Sequence, residues 1–181
     1  MVKYVCVLLL VMACAAPAFA QDYPVFEIGL GYANTGGEVN GFIAFDGRHS
    51  GFATNQAFNL SSNFAIENYF GYYGLGRDLS FGKMQLLANM IGGRVATRTD
   101  RFMLYGTAGI GGGWIRFPDL GAGTQNAFGV RFGGGVDIPL NDSVAWKVEA
   151  SRMSFHFNLD PAHSWNSGVN IYTGIVLKIS Q

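Results

Sequence analysis

Asn126-Ala127-Phe128-Gly129-Val130-Arg131-Phe132-Gly133-Gly134-Gly135-Val136-Asp137-Ile138 is the stretch that decides the fold. Phe128, Val130, Phe132, Val136 and Ile138 occupy alternate positions, with Gly129, Arg131, Gly133, Gly135 and Asp137 between them. Alternation with a period of two belongs to a β-strand, whose successive side chains point to opposite faces. One face is bulky and apolar; the other is mostly glycine with two charges. A narrow barrel needs that distribution: its interior has little room, while its exterior meets lipid.

The same pattern recurs on both sides of this stretch. Val25 to Asn34 sets Phe26, Ile28, Leu30 and Tyr32 against Glu27, Gly29, Gly31 and Ala33. Gly51 to Leu60 is a weaker second strand. Phe64 to Tyr73 sets Phe64, Ile66, Phe70 and Tyr72 against Ala65, Glu67, Tyr69 and Gly71. In Met84 to Ala96 the facing is open: Arg94 inward places Asn89 toward lipid, and the opposite choice exposes Arg94. Phe102 to Ile115 carries Leu104, Ala108, Ile110 and Trp114 against Tyr105, Thr107 and three glycines. Val144 to Met153 places Trp146, Val148 and Ala150 outward and Lys147, Glu149 and Ser151 inward; Gly168 to Ile179 aligns Thr173, Ile175, Leu177 and Ile179. With the opening stretch this makes an all-β chain: a single eight-stranded antiparallel up-and-down transmembrane β-barrel. Lipid offers no partner to backbone N–H or C=O groups, so a lipid-facing sheet has to close on itself.

Short turns at 61–63, 97–101 and 140–143 alternate with longer polar segments at 35–50, 74–82, 116–124 and 154–166. In outer-membrane barrels the short turns are periplasmic and the long loops external. An even strand count then places both termini in the periplasm.

Composition agrees. Charged residues are 13% of the 181, with no formal net charge; glycine numbers 26 and aromatics reach 14%. Without a basic excess there is no footprint for nucleic acid, and the apolar content excludes a disordered chain. The first 20 residues differ from the rest. Lys3 precedes an apolar run from Tyr4 to Ala13, and Ala18-Phe19-Ala20 offers small residues where a signal peptidase cuts. Residues 1–20 therefore read as a signal peptide and 21–181 as the barrel domain. A lipoprotein signal, with Cys14 lipidated after Val11-Met12-Ala13, is the alternative. Both cysteines, Cys6 and Cys14, lie in this leader, so the mature chain carries neither disulfide nor thiolate metal site.

Three stretches carry a family likeness: Phe64-Ala65-Ile66-Glu67 leading to Gly71-Tyr72-Tyr73-Gly74, Gly133-Gly134-Gly135-Val136-Asp137 before Leu140-Asn141-Asp142, and the last strand. Over 22–181 the chain resembles the small outer-membrane β-barrel domain proteins, relatives of the OmpA/OmpX-type eight-stranded barrels. The resemblance implies residence in the outer membrane, among its lipid and lipopolysaccharide, as a monomer. It also implies delivery by the barrel-assembly machinery, whose sorting signal Tyr172, Gly174, Leu177 and Ile179 match. The terminal aromatic usual in such signals is replaced by Ser180-Gln181.

Candidate chemistry centres on the inward charges Glu27, Glu67, Arg94, Arg131, Asp137, Lys147 and Glu149. Buried charges must pair. They form either a structural polar network or a gated ion path in which pairs exchange partners; a bore of eight strands is only wide enough for its own side chains. His49, His156 and His163 fall in or beside the long loops without metal-site spacing. A lipid A-modifying enzyme would need a base beside its nucleophile. Ser154 and His156 could share a face for that purpose, whereas the adjacent His163 and Ser164 would oppose one another. The glycine runs 111–113 and 133–135 lack the helix and Lys-Ser/Thr of a phosphate loop. No cofactor is expected. The function expected is a non-enzymatic envelope-structural or surface-interaction role with an unidentified loop ligand. A small-solute pore and a lipid A-modifying enzyme are the alternatives.

Overall fold

A computed structural model describes residues 23–36, 48–74, 85–116, 118, 123–157 and 164–179. The leader 1–20, with Cys14, lies outside the described residues, as do His163, Asp160, Ser180, Gln181 and most of the long loops. Eight strands follow in order: β1 (Phe26–Gly36), β2 (Arg48–Asn59), β3 (Phe64–Tyr73), β4 (Gln85–Arg98), β5 (Met103–Arg116), β6 (Gln125–Pro139), β7 (Val144–Phe157) and β8 (Ser164–Ile179). Each pairs antiparallel with the next. β1 pairs with β8 from Phe26↔Ile179 to Gly36↔Val169, which closes the barrel.

The alternation read from the sequence sets the facing. Leu30 is 65% exposed and Phe132 54%, whereas Glu27 and Arg131 are buried. Both readings of the fourth strand are decided by Arg94, which is buried in the bore. Asn89 accordingly lies on the outer wall. Glycines on the inner face make room for the few large groups there. A Cβ on Gly113 would come within 2.6 Å of the Phe155 ring, and one on Gly71 within 2.9 Å of Tyr73.

The short turns are held locally. Ser61 Oγ accepts from the N–H groups of Asn63 and Phe64 (3.3 and 3.0 Å). Thr99 Oγ1 donates to the Phe102 carbonyl at 2.8 Å and accepts from its N–H at 3.1 Å. Asn141 Oδ1 accepts from the Ser143 N–H at 2.9 Å. Side chains that bond the backbone two or three residues on suit tight reversals.

At the other end the strands run further than the sequence pattern indicated. β1 and β2 take in Thr35, Gly36 and Arg48 to Ser50, all within the long segment expected at 35–50. β7 continues to Phe157 and β8 begins at Ser164, so 154–157 and 164–166 are paired strand rather than loop. Backbone pairing continues there beyond the apolar band, where the outward positions no longer need to be apolar. At the short-turn end β4 continues through Arg98, inside the expected turn 97–101.

Candidate functional site

The inward charges of five strands converge in the half of the bore nearer the short turns. Glu27 of β1, Glu67 of β3, Arg94 of β4, Arg131 and Asp137 of β6, and Lys147 and Glu149 of β7 are each at most 3% exposed. Arg94 Nη2 donates to Glu27 Oε2 at 2.6 Å and to Asn59 Oδ1 at 3.1 Å. Its Nη1 lies 3.8 Å from Glu67 Oε2. Arg131 links two carboxylates: Nη1 donates to Glu67 Oε1 at 3.2 Å, and Nη2 pairs with Glu149. Lys147 Nζ stands 3.5 Å from Asp137 Oδ1. All seven charges expected to share the bore thus meet there, in two sets: a chain from Glu27 through Arg94, Glu67 and Arg131 to Glu149, and the pair of Asp137 with Lys147.

Neutral side chains complete the arrangement. Tyr105 donates to Glu149 Oε2 at 3.0 Å, and its ring lies under Lys147 Nζ at 4.1 Å from the centroid. Arg131 Cζ lies 4.2 Å from the centroid of the Tyr69 ring, a cation–π contact strengthened by the burial of both groups. Above it, Tyr69 and Tyr73 share a hydrogen bond through their hydroxyls. Tyr73 donates to Asn170 Oδ1 at 2.7 Å, and Asn170 Nδ2 donates to the Tyr69 oxygen at 3.2 Å and to Ser151 Oγ at 3.3 Å.

Several of these partners escaped the sequence reading. Arg98 bonds Glu27 Oε1 and Asn59 Oδ1 (3.1 and 2.9 Å) from the short-turn rim. Asn59, Asn170 and Tyr73 are neutral polar residues, Asn59 and Tyr73 at the ends of β2 and β3 and Asn170 within β8. The parity of each strand could have found them; a search for charge could not.

In this arrangement Tyr69, Tyr73, Lys147 and Asn170 are all 0% exposed. A continuous thread of water past them would expose them, so the described bore is plugged. With Arg98, the four acidic groups face four basic ones. That balance is what a low-dielectric interior requires.

The other candidates stand apart from the network. His49 is buried inside the bore at the long-loop end of β2, not in a loop. Ser154 and His156 share the outer face of β7. There Ser154 Oγ bonds Ser167 Oγ at 2.8 Å, and the His156 ring meets Trp165 edge to face at 5.4 Å. Among the described residues no three His, Cys, Asp or Glu side chains are grouped as metal ligands. The glycine runs at 111–113 and 133–135 lie in β5 and β6. Of the sorting-signal residues, Tyr172 faces inward, while Leu177 and Ile179 face outward beside β1. A Cβ on Gly174 would meet the Leu30 carbonyl and the Tyr172 hydroxyl, each at 2.5 Å, so this position has no room for a side chain.

The outer surface is that of a lipid-facing wall, and the comparisons agree. None of the curated proteins is similar enough in sequence to count as a match. Neisserial surface protein A (NspA) is similar in structure, with a TM-score of 0.69 at 12% identity over 88% of this chain and 100% of that one. OprG of Pseudomonas aeruginosa gives 0.60 at 12% identity, over 89% and 98% of the two chains. Ail, the attachment invasion locus protein of Yersinia pestis, gives 0.58 at 16% identity, over 86% and 98%. Residues 6–172 match the sequence profile of the outer membrane protein β-barrel domain. The chain therefore belongs to the outer membrane protein β-barrel domain family, and the outer membrane is where it resides.

Proposed function

We propose that the protein is a non-enzymatic surface barrel whose external loops make the contacts that matter, with the wall serving as an anchor in lipid and lipopolysaccharide. The observation that supports this reading is the plugged bore. Eight buried or half-buried charges neutralise one another across it, and four side chains in its path have no exposure at all. Opening a path would leave buried carboxylates without cations, at a cost of several kcal/mol each. What then remains for recognition is the loop surface at the long-loop end. The strands that lead to it, β7 and β8, run to Phe157 and from Ser164. The name of Ail speaks of attachment, and an attachment role of that kind is the one proposed here.

Planar-bilayer recording of the purified barrel tests the plug; the expected result is no discrete conductance steps, and regular steps would make it a pore. Replacement of 37–47 and 158–163 by short linkers tests the loops. Adhesion of expressing cells should fall while the heat-dependent gel shift of the folded barrel persists; unchanged adhesion would overturn the reading. In the same cells lipid A should keep its mass. A shortened lipid A would point instead to Ser154 and His156 on the outer wall.

A further inference from the structure

Midway up the outer wall, β2 and β3 carry a group of neutral amide and hydroxyl side chains that lipid cannot satisfy. Thr54 and Gln56 of β2 and Asn68 of β3 alternate with buried Ala53, Asn55, Ala57, Glu67 and Tyr69, so they face outward among Phe52, Phe58, Ile66 and Phe70. Asn68 is the fifth of the ten residues of β3, midway up the wall. Gln56 and Asn68 are direct cross-strand partners. Asn68 Nδ2 donates to Gln56 Oε1 at 2.7 Å, and Gln56 Nε2 bonds Thr54 Oγ1. Asn89 extends the group onto β4, one strand further, beside Phe70. On the far wall the outward positions Val130, Phe132, Gly134, Val136, Val148 and Ala150 carry no polar side-chain atoms; Trp146 and Arg152 flank them on β7, and the Trp146 indole N–H is met by Thr173 Oγ1 at 2.9 Å. Polar groups nearer the long-loop rim bond one another, as Tyr32 and Asn34 do with Ser50.

The amide ladder ends open. Among the described residues the Asn68 Oδ1 atom accepts no hydrogen bond, and each amide nitrogen uses one of its two protons. Acyl chains offer neither donor nor acceptor, and an unmet polar group in hydrocarbon is unfavourable. A membrane-embedded amide is therefore matched by another protein surface. We infer that this face of β2–β4 is an interface with a second copy of the chain, departing from the monomer expected from the sequence. The chemistry favours a copy over a different partner. An amide carries donor and acceptor on one planar group, so it complements its own image across a two-fold axis, where one patch meets itself. With the axis near Asn68, each Nδ2–H donates to the Oδ1 of the partner. No charge on this face calls for a counter-charge elsewhere. The flanking Ile66, Phe70 and Ile91, at 37%, 38% and 56% exposed, supply the apolar contact around it.

Cysteine cross-linking in the native membrane tests this directly. Phe70→Cys is placed beside the amides and Ala150→Cys on the opposite wall. The full chain is expressed, the outer membranes are oxidised, and the chain without an introduced cysteine sets the background. The expected result is a dimer band from Phe70→Cys well above background and none from Ala150→Cys. Adding Asn68→Leu and Gln56→Leu should remove most of that band while the heat-dependent gel shift stays. Asn68→Ser serves as the milder variant should the leucine pair impair assembly, and should also lower the yield. Three results would overturn the inference: equal bands from both walls, no band from Phe70→Cys, or a band that survives loss of the amides. A Phe70→Cys adduct to a different membrane protein would likewise give this face to another partner.

Discussion

Replacing Arg131 with methionine isolates the energetic weight of the plug. The substitution keeps an unbranched apolar stem and removes one cation that holds two carboxylates, Glu67 at 3.2 Å and Glu149. Among the described residues, Glu67 retains Arg94 at 3.8 Å and the Thr107 hydroxyl at 3.2 Å, and Glu149 retains only the Tyr105 hydroxyl at 3.0 Å. The variant thus strands one buried carboxylate almost completely, and breaking a buried pair from one side costs about 3–5 kcal/mol. At a slope of about 2 kcal/mol per molar urea, the unfolding midpoint falls by about 2 M. Urea titration in lipid vesicles, followed by tryptophan fluorescence and by the heat-shifted gel band, measures it. Removing both charges, as Arg131→Met with Glu149→Gln, should recover more than half of the loss, because the remaining charges balance again. A single variant that loses less than about 0.5 M would refute the reasoning, since it would mean that water already solvates these groups. A double variant no better than the single one would refute the pairing.

Two further substitutions probe the neighbours of that network. Gly113→Val places a Cβ within 2.6 Å of the Phe155 ring, and overpacking of this kind costs about 1–3 kcal/mol. The expected outcome is a lower urea midpoint, relieved by adding Phe155→Leu. Asn59→Ala removes an acceptor shared by Arg94 and Arg98 and a donor to Glu27. Urea titration should show a loss of about 1–3 kcal/mol, with the gel shift retained.

The fold was legible because lipid imposes its constraint at most outward positions. Phe128, Val130 and Phe132 cannot be polar without loss, and Gly129 and Gly133 cannot be large, so the sequence carries the period directly. The charges of the bore were legible for a related reason: a charge in an alternating apolar strand has only one tolerable direction. The reading failed where neither constraint acts. Thr35 and His49 lie beyond the apolar band, and nothing in their side chains distinguishes a paired strand from a loop. Asn59, Tyr73 and Asn170 are neutral, and their role depends on register between strands distant in sequence, as in the bond of Tyr73 to Asn170. Arg94 was ambiguous for the opposite reason, because its strand carries Asn89 on the other face.

The ion pairs of the bore join residues far apart along the chain: Glu27 meets Arg94 across 67 positions and Glu67 meets Arg131 across 64. A chain entering the bilayer one hairpin at a time would carry these charges into hydrocarbon before their partners arrived. The first hairpin would bring Glu27 without a cation; the second would bring Arg94 and Arg98 to it together with Glu67, whose nearer partner, Arg131, arrives only with the third. Such intermediates are unfavourable at each step, and the high sequence separation of the contacts slows their relief. The pathway with the least exposed charge assembles all eight strands outside the hydrocarbon, or at a partly thinned bilayer, and closes and inserts as one cooperative event. For this barrel, then, the contents of the bore dictate the kinetics of membrane entry as much as the wall does.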